Sequence, residues 1–174
     1  SLGEIRTFNI DLHKRYGEIC EARCIVLEEQ DADFTFQIDF PTPPSVTWEW
    51  FHNPDKRNIW NGGHVIWSAG NRPQGRPGIG SSNHCAHGKS VIMEVMVDWH
   101  PFEYYTTHSL ENGKHTFTET LRFEALPNGG TRVLHVGKMH MPIPRFIRRA
   151  ALKFVLITQH HYDKLIARAA QLAN

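Results

Sequence analysis

Apolar and small residues near the end of the chain recur at Phe146, Ala150, Phe154, Thr158, His161, Leu165, Ala169 and Leu172. Steps of three and four put all eight on one side of a 3.6-residue spiral, and the spacing predicts a helix from about Pro142 to Leu172. Ile147, Ala151, Val155, Tyr162 and Ile166 widen that stripe, while Arg145, Arg148, Arg149, Lys153, His160, Asp163, Lys164 and Arg168 lie mostly off it. At 1.5 Å per residue such a helix is ~45 Å long. Burying its larger apolar members is worth ~1.5–3 kcal/mol each before ordering entropy is subtracted, so the stripe calls for a broad apolar surface. Thr158, His161 and Tyr162 put polar atoms on the buried side. They need either partners in a packed core or a cavity beneath the helix.

The residues before that helix supply the surface. Phe34, Phe36, Ile38 and Phe40 alternate with Thr35, Gln37 and Asp39, the pattern of a half-buried strand, which Pro41-Thr42-Pro43-Pro44 stops. Residues 45–51 read as a short helix with Pro in its first turn and Thr42 or Ser45 as N-cap. Asn53-Pro54-Asp55 breaks it and opens a second, ending at Trp60-Asn61-Gly62-Gly63. A strand from His64 to Ala69 precedes a loop over residues 70–78 that is too rich in Gly and Pro to be anything else. Ser81–His87 and Ser90–Trp99 form a hairpin around Gly88-Lys89. In its second arm Val91, Met93, Val95 and Val97 share one apolar face, with Glu94 and Asp98 on the other. Glu103–Leu110 follows, then Glu111-Asn112-Gly113-Lys114, a strong hairpin signal. His115–Leu126 alternates Phe117, Leu121, Phe123 and Ala125 against Thr116, Thr118, Thr120, Arg122 and Glu124. Thr131–Met141 is the last strand. Short links imply antiparallel neighbours.

The fold class is therefore α+β: a curved antiparallel sheet of about seven strands, two short helices, and a long C-terminal helix over the concave face. Residues 31–174 form this domain. Residues 1–30 read as an N-terminal extension, either an added strand or the tail of a preceding domain.

Composition narrows the function classes. A chain of 174 residues is large enough for a real core, and 19 Lys+Arg against 18 Asp+Glu leave a formal charge of +1. No global field recruits nucleic acid or an acidic membrane. The basic cluster of Arg145, Arg148, Arg149 and Lys153 reads as a solvated helix face. No apolar run is long enough for a transmembrane segment. Three cysteines, an odd number in a chain too large to need staples, favour a reducing, cytoplasmic compartment. Neither the spacing of Cys20 and Cys24 nor the grouping of His84, Cys85 and His87 makes a convincing zinc site, so no metal and no cofactor is expected. The loop from Gly75 to Gly80 leads into a strand rather than a helix, which removes a helix-terminus phosphate site.

Several side chains carry candidate chemistry. Glu119 alternates with Phe117, Leu121 and Phe123, so its carboxylate points into the apolar face. Desolvation there raises a carboxyl pKa and suits a general acid or base, and pairing with a His or Arg is the structural alternative. His135 alternates with Val133 and Met139 and shares that interior, provided the turn at Gly129 keeps register. His161, Thr158 and Tyr162 on the helix, with His108 and Tyr104 on the sheet, would anchor the polar end of a ligand. Phe154, Met93, Val95 and Met139 would supply apolar contacts, and Trp60 and Trp67 an aromatic wall. Cys85 and His87 share a strand face, but a nucleophilic thiolate needs an electropositive setting.

This succession resembles the helix-grip fold of the START-like superfamily (SRPBCC), which includes birch-pollen-allergen relatives, lipid-transfer domains and polyketide cyclase/dehydrase-like proteins. The resemblance rests on the strand ending in Pro41 to Pro44 and the helix with Val46 and Trp48. It continues through Asn53-Pro54, Trp60, Gly78-Ile79-Gly80-Ser81, Val97-Asp98-Trp99-His100-Pro101-Phe102 and the helix from Pro144, over roughly residues 31–172. It implies a cavity between sheet and helix holding a hydrophobic, lipid-like or polyketide-like small molecule, and it does not imply a reaction. Three readings follow: a binding module, a cyclase/dehydratase-type enzyme using Glu119 with His135 or His161, and a non-catalytic ligand-sensing or regulatory domain of a longer polypeptide.

Overall fold

The computed structural model describes residues 26–62, 65–87, 90–150 and 160–173. Strand β1 (Phe34–Phe40) is followed by helices α1 (Pro44–His52) and α2 (Pro54–Asn61). Strands β2 (Ile66–Ala69), β3 (Ser82–His87), β4 (Ser90–His100), β5 (Tyr104–Glu111), β6 (Lys114–Ala125) and β7 (Thr131–Met139) follow in turn. Helix α3 (His160–Leu172) comes last. Residues 145–150 are also helical. The middle of the expected long helix, with Phe154 and Thr158, lies outside the described residues, and so do the side chains of His161 and Tyr162.

The seven strands make one curved, open, antiparallel sheet in the order β1-β7-β6-β5-β4-β3-β2. The first strand thus pairs with the last, and α1 and α2 carry the chain from one edge to the other. Proline starts both helices. Asn53 caps α2 by accepting from the backbone N–H of Asp55 at 2.9 Å, and Gly62 ends it at φ 66°. The N-cap of α1 is Pro43 rather than Thr42 or Ser45. Thr42 instead serves a buried hydroxyl cluster, in which Thr47 and Thr131 both donate to its carbonyl and tie α1 to the start of β7. Asn112 and Gly113, at φ 51° and 73°, make the tight turn between β5 and β6.

The core lies on the inner face. Phe40, Trp48, Phe51, Trp60, Met96, Tyr105, Leu121, Phe123, Val133 and Ala169 form one buried cluster that joins both short helices, the sheet and α3. Trp48 is its centre, meeting Trp99, Tyr105 and Phe123 edge-on at centroid distances of 4.9, 5.3 and 5.1 Å.

The outer face is partly covered as well. Leu27 and Ala32 pack on Val136, and the Leu27 N–H donates to Thr120 Oγ1 at 2.9 Å. The Asp33 carboxylate, fully buried, accepts from the Met139 N–H and from Arg148 Nε, both at 3.0 Å. Arg145 and Arg149 donate to the carbonyl of Ala32. Arg145 and Arg149 are exposed, as expected of a solvated face, and Arg148 is half-buried; all three also hold the entry of β1. Among the described residues no helix is long and apolar enough to cross a membrane.

Candidate functional site

Alternation fixes which side chains share the inner face. One rung of the sheet runs Met96 on β4, Thr107 on β5, Glu119 on β6, Gly137 on β7 and Phe34 on β1. Next to it lie Leu121, His135 and Phe36. Glu119 and His135, singled out from the strand pattern, meet here: His135 Nε2 lies 2.9 Å from Glu119 Oε1. Their side chains are 22% and 11% exposed, so the pair is sheltered without being sealed.

Aromatic rings surround the pair. Phe34 meets His135 edge-on at 5.3 Å and stacks on Phe117 at 5.6 Å, and Phe36 lies 6.2 Å from His135. Gly137 makes the crowding possible, because a Cβ there would come within 2.2 Å of the Phe34 ring and 2.8 Å of Phe117. Burial acts to raise the Glu119 pKa, as anticipated. The hydrogen bond and charge of His135, with the charge of Arg57, outweigh it and hold the carboxyl below the ordinary value. The expectation of a raised pKa is therefore overturned: Glu119 is ionised at neutral pH and is a poor proton donor.

A second polar group on the inner face was not anticipated. Arg57 of α2 reaches both Glu94 oxygens from Nη1, at 3.1 and 3.0 Å, and its Nη2 donates to Tyr105 at 3.2 Å. Its Nε donates to the Phe51 carbonyl, and the guanidinium lies 4.2 Å from the Trp67 ring centroid. Asn83 donates to Glu94 at 3.1 Å and accepts from Arg72 at 2.6 Å. Arg57, Glu94 and Asn83 are all buried, and none of their buried side-chain nitrogens and oxygens lacks a hydrogen-bond partner. Glu94 was placed on the face opposite Val91, Met93, Val95 and Val97, and it lies there. That face is the inner one, which the alternation could not tell because β4 is buried on both sides.

The same geometry corrects four ligand-contact expectations. Met93 and Val95 lie on the outer face, in a separate cluster with Val97 and Leu110. Tyr104 alternates with inward Tyr105 and stacks on His100 at 4.5 Å. His108 stacks on His115 at 4.1 Å, and His115 lies 3.9 Å from His140, again on the outer face. None of the four can approach Glu119, since successive strand residues point to opposite faces. Met139 does share the inner face, directly across from Phe117. Trp60 is packed in the core and donates to the Trp50 carbonyl at 2.7 Å. Trp67 stands across from Cys85.

Cys85 is buried, and its thiol is pushed up to about 12 by burial and by the Glu94 charge. It stays protonated, which removes the nucleophile from a Cys85–His87 pairing. Among the described residues no group of three or more His, Cys, Asp or Glu is arranged to hold a metal ion.

No protein-family model matches the chain, and no curated protein matches it in sequence. Solved structures do match. Protein Ms6760 from Mycobacterium smegmatis is similar at a TM-score of 0.60 and 14% identity, over 84% of this chain and 94% of that one. DynU16, placed in the dynemicin biosynthetic locus, is similar at 0.54 and 13%, over 79% of this chain and 45% of its own. PFC0360w, an HSP90 activator from Plasmodium falciparum, is similar at 0.50 and 13%, over 65% and 76%. At such identities the likeness speaks for architecture alone, and that architecture is the helix grip.

Proposed function

We propose that this chain is a START-like domain that binds a hydrophobic small molecule, lipid-like or polyketide-like, between the inner sheet face and the C-terminal helix. The observation that carries the reading is the uneven filling of that face. At one end Trp48, Phe40, Phe123 and Val133 are buried in a continuous core. At the other end Phe34, Phe36, Phe117 and Met139 are only half-buried around the Glu119–His135 pair. Apolar walls with a few convergent polar groups are the usual make-up of a small-molecule site. The occurrence of a similarly folded protein in a biosynthetic locus supports the reading, whereas the HSP90 activator shows that the fold alone does not select a role.

A second reading is favoured by one observation, the 2.9 Å contact between two ionisable groups. As a cyclase- or dehydratase-type enzyme the chain would use His135 for proton transfer and ionised Glu119 to orient it and balance its charge.

Native mass spectrometry of freshly purified protein tests the binding reading. The expected result is an excess mass that disappears on denaturation, or one restored by adding an apolar aromatic compound. Bare polypeptide mass, with tryptophan fluorescence indifferent to such compounds, would end it.

A further inference from the structure

One buried polar atom near the pair has nothing to bond. Thr107 is 1% exposed, and its Oγ1 is the one buried side-chain oxygen or nitrogen among the described residues that lacks a hydrogen-bond partner. Buried hydroxyls are nearly always satisfied, so this orphan calls for a physical reason. Its place supplies one. Thr107 sits directly across from Glu119 on the inner face, where facing Cβ atoms are ~4.5–5.5 Å apart. Glu119 Oε1 is taken by His135, while Oε2 has no partner among the described residues. An orphan donor-acceptor and an open carboxylate oxygen thus belong to one cross-strand pair of the inner face, with Phe117 two residues along β6 and Phe34 stacked on it.

Building on the small-molecule reading above, we infer that the ligand is an uncharged apolar molecule carrying a hydroxyl, with a phenol on a flat ring system as the best fit. Such a hydroxyl donates to Glu119 Oε2 and accepts from Thr107 Oγ1 at the same time, which completes both groups. A carboxylate head group has no hydrogen to give and sets a second negative charge beside Glu119. A bare hydrocarbon leaves the pair of oxygens unsatisfied on drying the site. Flat rings lie well against Phe34 and Phe117.

Calorimetric titration with 2-naphthol, naphthalene and 2-naphthoate separates the cases, because the three share one ring system and differ in the polar group. The expected order is 2-naphthol tighter than naphthalene by at least tenfold, with 2-naphthoate weakest. Thr107→Val should shrink the naphthol-to-naphthalene ratio at least threefold, and Glu119→Gln should narrow the gap between 2-naphthol and 2-naphthoate. Thr107→Val should also melt no lower than the parent when ligand-free, since it removes an unpaired hydroxyl. Equal affinity for all three probes overturns the hydroxyl inference and leaves the binding reading standing. Binding by none of them counts against the binding reading itself. An unchanged ratio in Thr107→Val means that an ordered water, not a ligand, completes Thr107, and overturns the inference.

Discussion

Arg57 Nη1 lies within 3.1 Å of both oxygens of Glu94, so the guanidinium of a short helix is fastened across the core to the fourth strand. Both residues are buried, and their desolvation is offset by each other, by Tyr105, the Phe51 carbonyl and the Trp67 ring around Arg57, and by Asn83 at Glu94. Breaking such a pair from one side leaves an uncompensated charge, which costs about 3–5 kcal/mol. Arg57→Met is expected to lose stability in that range in urea denaturation. Adding Glu94→Gln removes the stranded charge while keeping an acceptor for Asn83, so the double variant should be more stable than Arg57→Met alone. Additive losses would show that the two groups act independently.

Gly137 gives a second test. A methyl there would run into Phe34 and Phe117, and overpacking of this kind costs about 1–3 kcal/mol. Gly137→Ala is expected to lower the melting temperature and to displace Phe34 from the edge of His135. In a Phe34→Ala background the same glycine change should cost much less, because the clashing ring is gone. A full penalty in both backgrounds would place the strain elsewhere.

Acid should weaken the fold through the outer-face histidines. Burial and the neighbouring charges of His115 and His140 push His108 down to about 3. Burial, with His115, Lys138 and Arg148, takes His140 to about 4 against the opposing pull of Asp33. Burial also lowers His115. An unfolded chain binds protons at these sites from about pH 6.5 downward, before the folded one does. Their stability contribution is therefore complete above that pH and is lost as pH falls toward 4 and then 3. Urea midpoints measured from pH 7.5 to 4 should decline, and His140→Asn should flatten part of the decline. Identical profiles for the two proteins would rule the stack out as the cause.

Glu119 was legible because β6 keeps one apolar face, so a polar residue in that phase stands out. His135 was legible because Val133 and Met139 share its phase, although Leu134 and Val136 make the other side of β7 apolar too. Phe34 and Phe36 were readable for the same reason on the edge strand β1. Glu94 was not, because β4 is apolar on both sides: Val95 and Val97 are buried outward and Met96 inward. A bulge between Met96 and Asp98 then shifts the phase, so Trp99 returns to the inner face. Arg57 was hidden by its setting, since nothing local in a short polar helix announces that one arginine turns inward. Thr107 sits in a run of hydroxylated residues, where no pattern separates a satisfied hydroxyl from an orphan.

Asp33 joins three parts of the chain with a single carboxylate: the start of β1, the end of β7 through Met139, and the helical residues after Pro144 through Arg148. Removing that one carboxylate would release all three segments at once and leave Arg148 without its buried counter-charge.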